Sequence, residues 1–135
     1  MKKTLTFVAA SFFLFVSCTS ERPATIYSED QKKEISKELK SIRDTLQLRS
    51  LADSLYGEKN WDKASLAYNE LGKKHRKNAL FQDAIEAHLK GLQSASIVHD
   101  TAEIVQAYNH MGTNYRRMGM LEEASNCHYR ALELL

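Results

Sequence analysis

The side chains in this 135-residue chain that could do chemistry are five histidines, two cysteines, and nineteen basic and seventeen acidic residues. Cys127 beside His128, with His88 forty residues earlier, invites a metal reading. The spacing argues against it, because adjacent helical residues diverge by about 100° and no histidine pair has the one-face H-x-x-x-H spacing. No metal or other cofactor is therefore expected, and Cys127 reads as a small core residue. Cys18 and Cys127 lie far apart in segments of different character, so no disulfide is predicted. Catalysis has no better footing: there is no G-x-S-x-G, no glycine-rich phosphate loop, and no serine or cysteine with an identifiable base. The pairs Glu29-Asp30 and Glu122-Glu123 suit the first turns of helices, where negative charge complements the dipole. The chain does not read as an enzyme.

One polar pattern remains. Asn69, Lys73 and Arg76 stand at i, i+4 and i+7, and Asn109, Thr113 and Arg116 repeat those offsets forty residues on. On helices each triplet shares a face, with asparagine able to hydrogen-bond a partner's backbone and the cations able to attract carboxylates. The run Lys73-Lys74-His75-Arg76-Lys77 and the pair Arg116-Arg117 also suit helix C-termini, where cations are favoured regardless of any ligand. Nucleic-acid binding is not expected, since neither a helix-turn-helix signal nor an interleaved aromatic platform accompanies the charge.

The elements that would position these residues are helices. With one proline and five glycines, turn formers are too few for a many-stranded sandwich or barrel, and from Ser28 onward there is no proline. Before that, Lys2 and Lys3 precede a thirteen-residue uncharged run, Leu5 to Ser17, which is signal-peptide anatomy. As a helix it would cover about 20 Å, short of the roughly 30 Å hydrocarbon core. Its end, Phe15-Val16-Ser17-Cys18, resembles the bacterial lipobox. The resemblance implies that residues 1–17 are removed and that Cys18 carries a lipid anchor to the cell envelope. An ordinary secretory signal cut near Ser20 would discard Cys18 instead. Loss of Lys2 and Lys3 brings the basic count level with the seventeen acidic residues, so the formal charge of +2 belongs to the leader. Residues 18–27, with Pro23, read as a flexible tether. Ser28 to Gln31 has capping-box spacing, and Ile35, Leu39, Ile42, Leu46, Leu51 and Leu55 extend a stripe that predicts one long helix over residues 28–57. A two-stranded coiled coil is the sharper alternative for it.

Sliding the chain by forty residues exposes an internal repeat. Ala67-Tyr68-Asn69 returns as Ala107-Tyr108-Asn109, Gly72 as Gly112, Arg76 as Arg116, Ala84 as Ala124, His88 as His128 and Leu92 as Leu132, which makes eight identities in twenty-six positions. Such a period filled by two helical stretches signals an α-solenoid. Within the second copy, Tyr108, Met111, Gly112, Tyr115, Gly119, Ala124 and Ala131 resemble the tetratricopeptide-repeat pattern, and the closing stretch is similar to repeats of Bacteroidetes proteins. The resemblance implies an all-α superhelix of two hairpins, residues 60–95 and 100–135, preceded by the long helix. It further implies a peptide or protein partner on the concave face, touching Asn69, Lys73, Arg76, Asn109, Thr113 and Arg116. The expected function is a non-catalytic, envelope-anchored interaction scaffold. The alternative is the sensor fragment of a longer signalling or transcription-regulatory protein. The apolar face of the last helix implies dimerisation or further repeats.

Overall fold

A computed structural model describes residues 26–135. The leader, Cys18 and most of the tether lie outside the described residues. The rest is 82% helical, without strands: α1 (Glu29–Ser41), α2 (Thr45–Gly57), α3 (Trp61–Lys77), α4 (Phe81–Ile97), α5 (Thr101–Arg117) and α6 (Leu121–Glu133). Among the described residues no helix is long and apolar enough to cross a membrane.

From α2 onward one corner is used four times. Helices stop at Gly57, Lys77, Ile97 and Arg117, and the second residue after each is left-handed: Lys59 (φ 60°), Ala79 (58°), His99 (55°) and Gly119 (78°). The next amide reaches back five residues, Asn60 to Leu55, Leu80 to His75, Asp100 to Ala95 and Met120 to Tyr115, each at 2.9 Å. This is the Schellman closure, which satisfies carbonyls that a helix end leaves open. The following helix starts at once, so helix plus corner repeats every twenty residues. α4 runs to Ile97 and α5 begins at Thr101, so only the three corner residues 98–100 separate the two helices.

The stretch 28–57 is two helices rather than the single long one its apolar stripe suggests. Ser28 caps α1 with the expected box, but Ile42 (ψ 105°) and Asp44 (ψ 120°) are extended, and the Asp44 carboxylate takes the amide of Leu46 at 2.8 Å. That side-chain bond competes with helix continuation. The packing explains the break. An unbroken helix over this stretch would run about 45 Å, well beyond the roughly 25 Å of α3, while two shorter pieces can both lie on α3. Ile35, Leu39 and Ile42 then join Leu48, Ala52, Leu66, Tyr68 and Leu71 in one core.

Consecutive helices from α2 to α6 pack pairwise, and α1 and α5 also both lean on α3. The odd-numbered helices therefore form one layer, with the even-numbered ones behind them. A second apolar cluster joins Ile85, Met111 and Cys127 with Leu92, Tyr108 and Tyr115.

Candidate functional site

The odd-helix layer carries the polar residues that the repeat singles out, and it uses them in two different ways. In its middle they hold helices together. The Asn69 amide donates to Oε2 of Glu103 at 3.1 Å, which turns its oxygen toward Nδ1 of His88 at 3.0 Å, so that nitrogen carries the ring's proton. Asn69 is buried, with both ends of its amide engaged inside the protein. His88 is fully buried against Gly72 and stacks on His110, centroids 4.8 Å apart. Arg76 in turn donates to Nδ1 of His110 at 3.4 Å. Burial first, then the neighbouring His110 and Arg76, push the His88 imidazole down to about 2. Burial with Lys73 and Arg76 pushes His110 down to about 4. Both rings are neutral, and His75 is lowered by burial and by Arg49.

The network continues onto α1. Glu103 accepts from Gln106 at 3.3 Å, and its own amide donates to Asp100 at 3.2 Å. Asp100 pairs with Lys32, both side chains only 6% exposed, and Lys32 also reaches Glu29 at 2.9 Å. Burial alone would lower the Lys32 ammonium, but the hydrogen bonds it donates to Asp100 and Glu29 outweigh that and raise it. Burial raises the Glu103 carboxyl, and the Asn69 bond pulls it part of the way back. A groove of about 360 Å³ runs between α1, α3 and α5 over these groups, lined by Lys32, Ser36, Asn69, Glu70, Glu103 and Gln106 among others.

Toward the C-terminal ends of the same helices the character changes. Lys40, Glu70, Lys73, Lys74, Arg76 and Lys77 wall an opening of about 240 Å³. Arg76 and Lys77 are shared with a second opening of about 700 Å³, completed by Ala79, Phe81, His110, Thr113 and Arg117. Six cations thus border two adjoining hollows with one acid, Glu70, already paired to Lys73 at 2.7 Å.

The six groove residues expected from spacing divide accordingly. Lys73, Arg76 and Thr113 line the openings, the Thr113 hydroxyl also donating to the carbonyl of Asn109 at 2.9 Å. Asn69 sits in the interior, while exposed Asn109 accepts from His128 at 3.2 Å. Arg116 is exposed outside the openings, and its neighbour Arg117 lines the larger one. Spacing missed Lys40, Lys77 and His110 in this role. Lys77 lay in a run read as helix-end charge, Lys40 fell inside the stretch read as one long helix, and His110 has no equivalent in the first copy, where Glu70 stands. Cys127 is a free, buried thiol raised by burial. Among the described residues no three histidine, cysteine or carboxylate side chains gather as a metal would require. No protein-family model matches the chain, and no curated protein or solved structure matches it either.

Proposed function

We propose that the chain is a non-catalytic scaffold of tetratricopeptide type, tethered to a bacterial cell envelope through a lipid on Cys18, and that it takes an acidic peptide segment of a protein partner on its odd-helix face. One observation carries the reading: two adjoining hollows at the ends of α3 and α5 share Arg76 and Lys77 and are bordered by Lys40, Lys73, Lys74 and Arg117. Helix-end electrostatics account for cations at these termini, but not for their convergence on shared concave openings. Lysine and arginine there offer charge-assisted donors to carboxylates, and Phe81 offers an apolar floor for an adjoining side chain.

The test uses a labelled oligoglutamate peptide and cell fractionation. Wild type should bind the peptide with an affinity that falls as salt rises, and K73A/R76A/R117A should lose most of that binding. Cys18→Ser should leave the membrane fraction while still binding. Salt-independent binding, or binding unchanged in the triple variant, removes the groove; membrane retention of Cys18→Ser removes the anchor.

A further inference from the structure

The outer face of α6 repeats a pattern that the protein buries one repeat earlier. On α4, Phe81, Ile85, His88, Leu92 and Ala95 form one stripe at steps of four, three, four and three. α5 and its neighbours cover it. Ile85 is 5% exposed, His88 and Ala95 not at all, and Phe81 and Leu92 are half-buried. The corresponding residues, four on α6 and one just past its end, are Leu121, Ser125, His128, Leu132 and Leu135, and all five are exposed, the leucines at 67%, 66% and 89%. Tyr129 beside them is exposed as well. His128 bonds Asn109 and lies against Gly112 just as His88 bonds Asn69 and lies against Gly72. The repeat has thus built a surface of the kind that receives a helix on α4. Tyr129, Leu132 and Leu135 together expose an apolar patch toward the C-terminal end of α6, and exposed apolar patches mark interaction surfaces.

The α6 stripe also carries its own complement. Two such stripes laid antiparallel about a two-fold axis at His128 set Leu121 against the partner's Leu135, Ser125 against the partner's Leu132, and His128 against the partner's His128. Large residues then meet large ones at the ends, small Ser125 admits a leucine, and no charged residue falls on the stripe. The geometry already exists within the chain. α5 runs back along α4 and meets His88 with a stacked imidazole, His110, followed by the apolar Met111. A second α6 in the same orientation supplies the partner's His128 in place of that ring and the partner's Tyr129 in place of that methionine.

We propose that α6 is a self-association surface, pairing two copies of this chain through antiparallel α6 helices on a two-fold axis at His128. The self-complementary stripe favours a second copy over an unrelated helix, which would have to bring a matching pattern of its own.

Thiol trapping in the full chain tests this. In a Cys18→Ser/Cys127→Ala background, which carries no other thiol, His128→Cys should give a disulfide- or bis-maleimide-linked species of twice the chain mass, and the parent should give none. Gln93→Cys, exposed on α4, should also give none, and adding Leu132→Glu should abolish the link at position 128 while circular dichroism shows the helices intact. A folded His128→Cys variant that links no more than Gln93→Cys, or whose link survives Leu132→Glu, overturns the proposal. That result would follow if another hairpin or a different protein covered α6.

Discussion

Gly72 and Gly112 each face an imidazole one repeat apart, but the two rings differ in their freedom to move. A Cβ on Gly72 would stand 2.5 Å from Nε2 of His88, which is pinned between Asn69 and the His110 ring and has no exposed surface. A Cβ on Gly112 would stand 2.8 Å from His128, whose exposed ring can swing outward. Gly72→Ala should therefore cost about 2 kcal/mol through overpacking, several degrees in Tm. Gly112→Ala should cost less than about 1 kcal/mol, because better helix propensity offsets a smaller clash. Thermal unfolding of the two variants checks the ordering, and equal losses would mean that the rings are equally constrained. The sequence shows both glycines and both histidines, but not this difference. Only the presence of α5 over α4, and of no described helix over α6, separates one copy from the other.

Among the elements, α1 stands apart. It reaches α2 by an extended link rather than by the corner used everywhere else, and it rests on α3 with Lys32 reaching across to Asp100 at the start of α5. Lys32→Met would leave the buried Asp100 carboxylate without its paired ammonium and beside the like charge of Glu103. A loss of about 2 kcal/mol follows, below the cost of a fully enclosed pair because the overlying groove admits water. The expected readout is faster hydrogen exchange confined to α1, with Asp100→Asn restoring part of the protection; exchange that quickens equally in α3 to α6 would refute it. The sequence shows the capping box at Ser28 and the forty-residue period, and from them the helical class and the hairpins. It hides the corners at Lys59, Ala79 and His99, because left-handed residues are recognisable in advance chiefly as glycine, as at Gly119. It hides the break at Asp44 because the apolar stripe passes through Ile42 unbroken. Asn69 shares a helix face with Lys73 and Arg76, and only the approach of α5 turns the first inward while leaving the others at the openings.

For the molecule as a whole, the buried neutral histidines set an acid limit. In the unfolded chain His88 and His110 take up protons near pH 6.5, whereas in the fold they resist until about 2 and about 4. The unfolded state therefore binds more protons as pH falls below 6.5, and each ring removes about 1.4 kcal/mol of stability per pH unit until its folded value is reached. Glu103, raised by burial, works in the opposite direction and softens the slope. Helicity followed against pH should collapse above pH 4, and His88→Gln, which can still donate to Asn69, should shift the midpoint downward. An unchanged midpoint would show that other groups govern acid unfolding. The Lys32–Asp100 pair has a consequence of another kind, in the order of assembly. Successive helices from α2 to α6 close only short loops when they pair, so they can zip together from local encounters. The Lys32–Asp100 contact closes the longest loop of any ion pair among the described residues, and its acceptor stands on a corner that exists only once α4 and α5 have met. α1 is therefore the latecomer in folding and the first strap to slip in unfolding.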